Sequence, residues 1–112
     1  MDLHHSVVVS ASPDAVKKAM DAHEPCVLLD VRTPGEYAQG TIAGSINLPV
    51  DDIATRVTEK IPDRSACIYV FCRSGARSYR AASYMMRMGY TQVVNMEGGL
   101  LGWQAKHFPL GQ

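Results

Sequence analysis

The chain has 112 residues, of which 46% are hydrophobic and 20% are charged. It can therefore bury a hydrophobic core in one domain without needing disulfides or a bound metal for stability. Its formal net charge is zero, which gives no general attraction to nucleic acid or to a membrane surface. No stretch reaches transmembrane length, and the first five residues lack the basic start and apolar run of a signal peptide. We therefore expect a single domain over residues 1–112 in the cytoplasm.

The chain begins with a strand, a helix and a second strand. Residues 6–10 carry three valines and predict the first strand. Ser12 followed by Pro13 is typical of a helix start, with serine as the N-cap and proline at the first helical position. The apolar run over residues 26–31 predicts a buried strand that ends near Asp30.

The middle of the chain predicts two helices around a short strand. Residues 33–36 have the spacing of a capping box with proline at the first helical position, and Gly40 is expected to end this helix. Residues 45–48 predict a brief strand before Pro49. The next helix is indicated by apolar residues at one-turn spacing, namely Ile53, Val57 and Ile61.

The last part of the chain contains the strongest strand signal. Residues 66–71 are apolar on both faces, as a central parallel strand requires. A helix is predicted from about 77 to 88, a strand over 92–96 and a final short helix over 100–107. This alternation predicts an α/β fold with a mainly parallel sheet of about five strands and helices on both faces.

Charge is distributed unevenly along the chain. No acidic residue lies between positions 64 and 96, yet five arginines do: Arg64, Arg73, Arg77, Arg80 and Arg87. A solvated basic helix face would explain this segment, and so would a pocket for a small anion.

Three cysteines are present, and their pattern favours a reducing compartment. The number is odd and no C-x-x-C occurs, so neither a disulfide framework nor a zinc site is indicated. Cys67 and Cys72 would lie roughly 16 Å apart in extended chain, too far for a bridge. We interpret Cys26 and Cys67 as inert residues inside apolar strands.

Cys72 is the candidate nucleophile, because it stands where the predicted central strand meets a loop of small residues. Ligands of open α/β sheets bind at the carboxyl ends of strands. Backbone N–H groups of such a loop, with a helix start behind them, favour the thiolate form of a cysteine. The predicted binding loop consists of Arg73, Ser74, Gly75, Ala76, Arg77 and Ser78. In it, Gly75 permits the tight curl, and the two arginines can donate to an oxyanion.

The loop length distinguishes two chemistries. Tyrosine phosphatases place five residues between the cysteine and an arginine, whereas four residues separate Cys72 from Arg77 here. Ser78 stands where a phosphatase would have the arginine, and Phe71 stands where it would have histidine. A tighter loop suits a sulfur-centred substrate or a persulfide better than a phosphate ester.

Four segments in register resemble the single-domain rhodaneses. They are Leu28–Arg32, Glu36–Pro49, the cysteine loop Cys72–Ser78 and Gly98–Trp103. The resemblance extends from about residue 6 to 110. It implies a rhodanese fold and a sulfurtransferase that carries sulfur as a persulfide on Cys72.

The resemblance also implies the substrates. The donor would be a small anionic sulfur compound such as thiosulfate, and the acceptor would be cyanide or a thiol, possessed by a small molecule or a protein. No metal or organic cofactor is needed, and neither nucleic acid nor membrane is expected as a partner. A non-catalytic rhodanese-like binding module, and a phosphatase or arsenate reductase on the same scaffold, are the alternatives.

Asp30 and Arg32 flank the end of an early strand on the expected side of the site. They could help to position the loop arginines, or they could cap the end of the strand and form ordinary ion pairs at the surface. We favour the second interpretation. Glu36 is interpreted only as the carboxylate of the capping box.

Overall fold

A sheet of five strands runs through the computed structural model of the chain, which describes residues 7–111. The strands are β1 (Val9–Ala11), β2 (Val27–Asp30), β3 (Ile46–Asn47), β4 (Cys67–Phe71) and β5 (Gln92–Met96). They lie in the order β1-β5-β4-β2-β3, and each neighbouring pair is parallel. The predicted α/β fold with a parallel five-stranded sheet is confirmed, and β4 is its central strand.

Five α-helices connect these strands. They are α1 (Pro13–Asp21), α2 (Pro34–Ala38), α3 (Ile53–Lys60), α4 (Ala76–Arg87) and α5 (Gly99–Ala105), with a 3-10 turn at Val50–Asp52 leading into α3. Helices α1 and α5 pack together, as do α3 and α4. None of the helices described here is long and apolar enough to cross a membrane.

The core has two layers, one on each face of the sheet. Along β4, Ile68 and Val70 enter the layer that also contains residues of α3 and α4, while Phe71 enters the layer of α1 and α5. Side chains alternate between faces along a strand, so a strand buried on both sides must be apolar throughout. Trp103 of α5 is 1% exposed and anchors the second layer.

The first strand differs from its prediction. It was expected over residues 6–10 but spans Val9–Ala11, and residue 6 lies outside the described residues. Val7 is 81% exposed, so the run of valines does not all enter the core. The strand is instead defined by its pairing with β5, which places Val9 beside Val94 and Ala11 beside Met96.

Local capping signals were predicted correctly. The Ser12 side chain accepts a hydrogen bond from the Ala15 N–H at the start of α1, and Thr33 and Glu36 form the reciprocal capping box of α2. These caps fix where each chain segment leaves the sheet. Strands β2 and β4 are aligned with Asp30 beside Phe71, so the loops that follow them meet at one edge of the sheet.

Candidate active site

Cys72 lies directly after β4, at the carboxyl edge of the sheet, and is 1% exposed. Its Sγ accepts a hydrogen bond from the Gly75 N–H at 3.1 Å and one from the Ser78 hydroxyl at 3.4 Å. Gly75 has a φ of 111°, a conformation that residues with a side chain rarely adopt. The predicted curl of the loop around the cysteine is therefore present.

The surroundings of Cys72 favour its ionised form. Burial alone raises the pKa of this thiol, because a thiolate is poorly solvated inside a protein. Hydrogen bonds from the Ser78 hydroxyl and from the backbone N–H groups of Ser78, Gly75 and Ser74 outweigh that effect and lower the pKa below its ordinary value. Cys72 consequently has more thiolate near neutral pH than an ordinary cysteine, and the thiolate is the nucleophilic form.

Asn95 of β5 extends this hydrogen-bond network and was missed in the sequence. Its Oδ1 lies 2.5 Å from the Ser78 hydroxyl, and both residues are buried. A serine hydroxyl has one proton, so donation by Ser78 to Asn95 competes with its donation to Cys72. The available signal was a polar residue near the carboxyl end of a strand, between the apolar residues Val94 and Met96.

Arg77 and Glu36 form a bidentate ion pair beside the loop. Arg77 Nη1 donates to Glu36 Oε1 at 2.7 Å, and Nη2 donates to Oε2 at 3.0 Å. Hydrogen bonding by Arg77, together with the bond from the Thr33 N–H, lowers the pKa of Glu36 to about 2. The interpretation of Glu36 as only a capping carboxylate is therefore wrong, since it joins α2 to the start of α4.

This pair changes what Arg77 can offer a substrate. Both of its terminal nitrogens already donate to Glu36, which leaves fewer of its N–H groups for the oxyanion that it was predicted to bind. Arg73 differs, because its side chain is exposed and takes part in no ion pair within residues 7–111. Ser74 and Ala76 are also exposed around the loop.

Asp30 and Arg32 form a buried pair at the end of β2. Arg32 Nη2 donates to Asp30 Oδ2 and to the Gly40 carbonyl, both at 2.7 Å, and Thr41 Oγ1 donates to Asp30 at 2.9 Å. The side chains are 0% and 7% exposed, so the interpretation as surface pairing is wrong. Their hydrogen bonds tie the end of β2 to the segment after α2 and do not include either loop arginine.

The start of α5 is joined to the cysteine loop by backbone hydrogen bonds. The Leu100 N–H donates to the Cys72 carbonyl at 2.8 Å, and the Leu101 N–H donates to the Arg73 carbonyl at 3.0 Å. A side chain at Gly99 would place its Cβ 2.5 Å from the Cys72 carbonyl oxygen and 2.6 Å from the Arg73 carbonyl. Glycine at this position thus permits a backbone contact that fixes the loop.

Across residues 7–111, no group of three or more His, Cys, Asp or Glu side chains could hold a metal ion.

Comparison with known proteins identifies the family. The family model of the rhodanese-like domain matches residues 12–106, and the chain belongs to this family. A sulfurtransferase of Allochromatium vinosum is 45% identical over 87 residues, which are 78% of this chain and 79% of that protein. The thiosulfate sulfurtransferase PspE of Escherichia coli is 36% identical over 70 residues, which are 62% of this chain and 67% of that protein.

A solved structure agrees with this assignment. The crystal structure of a rhodanese-related protein from Thermoplasma volcanium superposes with a TM-score of 0.80 at 29% identity. The alignment covers 92% of this chain and 97% of that chain. The resemblance to rhodaneses in the sequence is therefore confirmed.

Replacement of Ser78 by alanine tests the control of the thiolate. In the wild type, the hydrogen bond from the Ser78 hydroxyl lowers the pKa of Cys72. The variant lacks this donor, so the pKa of Cys72 should rise and the activity should require higher pH. In a plot of kcat/KM against pH, the rising limb should move to higher pH.

The matched control for this variant is Ser83→Ala on the same helix, outside the network around Cys72. Its rising limb should coincide with that of the wild type. An unshifted limb in Ser78→Ala would show that the hydroxyl does not govern the ionisation of Cys72.

Proposed function

We propose that the protein is a sulfurtransferase that carries sulfane sulfur as a persulfide on Cys72. The observation that carries this proposal is the cysteine itself: Cys72 Sγ, at the carboxyl edge of the sheet, accepts hydrogen bonds from Gly75 and Ser78 that favour its thiolate. The relatives named sulfurtransferases support the same activity.

The reaction has two steps at one sulfur atom. The Cys72 thiolate attacks the outer sulfur of a donor such as thiosulfate, the S–S bond of the donor breaks, and sulfite leaves with the bonding electron pair. An acceptor nucleophile then attacks the outer sulfur of the persulfide and releases the Cys72 thiolate. Because the enzyme is modified between the steps, ping-pong kinetics are expected.

The hydrogen-bond donors of the loop suit both anionic forms of Cys72 in this cycle, the thiolate and the persulfide. Hydrogen bonds from backbone N–H groups stabilise a thiolate, and they would equally stabilise an anionic persulfide in the same position. Gly75 and Ser78 donate from the loop and the helix that follows it, so they can remain in place throughout the cycle. Such preorganised donors need little rearrangement during reaction.

The phosphatase alternative is disfavoured by two features of the loop. Four residues rather than five separate Cys72 from Arg77, and both terminal nitrogens of Arg77 donate to Glu36. A phosphoryl group needs donors to three equatorial oxygens, and the pair with Glu36 already takes up two of the five N–H donors of Arg77.

Thiosulfate:cyanide transfer and aryl phosphate hydrolysis, measured side by side, test the proposal. The wild type should transfer sulfur and show negligible hydrolysis. An insertion of one residue after Gly75 should weaken sulfur transfer by disrupting the donors to Cys72. Robust phosphate turnover without sulfur transfer would favour the phosphatase, and the absence of both activities would favour a binding module.

Arg73 is proposed to recognise anionic donors. Its side chain is exposed beside Cys72, and a charge-assisted hydrogen bond to a substrate anion is stronger than a neutral one. We expect Arg73→Ala to raise the KM for thiosulfate about tenfold, which corresponds to about 1.4 kcal/mol. Steady-state kinetics with varied thiosulfate measure this change.

Arg87→Ala is the control for charge alone. Arg87 lies in the last turn of α4, with its guanidinium 5.5 Å from the centre of the Tyr84 ring. Solvent and salt screen a charge at such a position, so the KM should change less than about twofold. Equal small effects in both variants would show that the arginine-rich segment is a solvated face.

The donor, the acceptor and the location are also proposals. We propose a small anionic donor, a thiol or protein acceptor in cells, and a cytoplasmic location. A screen of thiosulfate, 3-mercaptopyruvate and glutathione persulfide, each with cyanide as acceptor, would rank the donors by kcat/KM. The proposal for thiosulfate fails if it is the poorest of the three.

A further inference from the structure

Two cysteines lie beside each other at the amino edge of the sheet, away from Cys72. Cys26 immediately precedes β2, and Cys67 is the first residue of β4. Both are half-buried; Cys67 lies in an apolar strand as predicted, whereas Cys26 lies one residue before the strand that was predicted to contain it. Strands β2 and β4 are aligned with Val27 beside Ile68, which places Cys26 beside Cys67 one residue earlier in the same register.

Both side chains project from the same face of the sheet. Leu28 and Tyr69 are register partners, and both contribute to the layer that contains α1 and α5. Cys26 and Cys67 each come two residues earlier, and alternate residues of a strand share a face. Neighbouring strands lie about 4.8 Å apart. This spacing falls within the roughly 4.4–6.8 Å between Cα atoms that a disulfide requires.

The two thiols are accessible from an open hollow. Its volume is about 610 Å³, and its lining includes Cys26, Cys67, Asp63 and Gln92. Burial raises the pKa of both thiols, and the nearby Cys67 raises that of Cys26 further. The pair therefore stays largely protonated near neutral pH, and its attacking thiolate becomes more abundant as the pH rises.

We propose that Cys26 and Cys67 are a redox pair that closes to an intrachain disulfide when a small-molecule disulfide, such as oxidised glutathione, is the oxidant. One cysteine thiolate attacks oxidised glutathione, and one glutathione leaves as its thiolate. The other cysteine attacks the protein sulfur of this mixed disulfide and releases the second glutathione. Two protein thiols are oxidised, one glutathione disulfide is reduced, and the two thiol protons pass to the two glutathione molecules.

Disulfide mapping of the wild-type protein tests this proposal. The protein is incubated with oxidised glutathione at mildly alkaline pH, its free thiols are alkylated, and it is digested with chymotrypsin without reduction. Cleavage after Tyr69 and Phe71 separates Cys67 from Cys72, so each thiol can be followed by itself. We expect a peptide pair that joins Cys26 to Cys67, from a single chain that has lost two hydrogens at these positions.

Cys26→Ala is the matched control. In this variant Cys67 should be found alkylated or joined to glutathione, and no intrachain link should form. Oxidised wild type should also have a Tm several degrees above that of the reduced protein, because the link constrains the unfolded chain. Cys26→Ala should show no such rise. Alkylation of both cysteines in the wild type, separate glutathione adducts on them, or a link to Cys72 would overturn the proposal.

Discussion

Replacement of Cys72 by serine is expected to abolish sulfur transfer, with kcat/KM falling by a factor on the order of 10³ or more. The serine hydroxyl fits the same space but stays protonated at neutral pH and cannot form a persulfide. The hydrogen bonds from Gly75 and Ser78 would then stabilise no thiolate. Cyanide-dependent formation of thiocyanate from thiosulfate measures the loss.

The other two cysteines provide the controls. Cys67→Ser and Cys26→Ser alter the amino edge of the sheet, whereas Cys72 lies at its carboxyl edge. Both variants should retain most of the wild-type turnover under reducing conditions. Loss of activity in a folded Cys67→Ser protein would contradict the assignment of Cys72 as the one catalytic cysteine.

Replacement of Gly99 by alanine should have the second largest effect, on both stability and activity. The new Cβ would lie 2.5 Å from the Cys72 carbonyl oxygen and 2.6 Å from the Arg73 carbonyl, and the φ of 56° is already unfavourable for alanine. These contacts are with backbone, so the cysteine loop itself must move. We expect a loss of about 2–4 kcal/mol in unfolding free energy. The kcat/KM of the folded variant should fall at least about tenfold, because small displacements of catalytic groups are costly.

Gly44→Ala is the control that separates the effect of the steric clash from the effect of the strained backbone conformation. Gly44 has a φ of 86°, but a Cβ there would meet nothing within 4 Å. The control should lose about 1 kcal/mol and keep its activity. Urea unfolding and steady-state kinetics on both variants give the comparison. Equal effects in the two proteins would show that the contact of α5 with the cysteine loop does not position Cys72.

The elements of the fold could be predicted because their signals are local. Ser12 and Thr33 cap helices within three residues of their own positions, and the apolar run before Cys72 needs only its own composition to predict a central strand. The order of the strands is not contained in these local signals, because it depends on which strands pair across the sheet. The edge strand β1 was placed less well, because its limits depend on pairing with β5.

Contacts between distant segments could not be predicted in the same way. Glu36 and Arg77 are 41 residues apart, and each has a sufficient local explanation, one as a cap and one as a loop cation. Asn95 reaches Ser78 from another strand only after the sheet has assembled. The register that brings Cys26 beside Cys67 likewise depends on the alignment of β2 with β4.

Asp30 and Arg32 show a further limit of sequence patterns. Two charged residues at a strand end are usually exposed, and the sequence contains no sign that Gly40 and Thr41 will cover them. In the structure the Gly40 carbonyl and the Thr41 hydroxyl complete their hydrogen bonds, which allows the pair to be buried. Burial of a charge can be recognised only when its partners are known.

The mass of the intact protein after brief treatment with thiosulfate is the most direct test of persulfide formation on Cys72. We expect a gain of one sulfur atom, located on Cys72 by peptide mapping and removed by cyanide. Cys72→Ser should gain nothing under the same conditions. A wild-type mass that stays unchanged with every sulfane-sulfur donor tried, or a sulfur atom found on Cys26 or Cys67 instead, would show that Cys72 does not carry the sulfur.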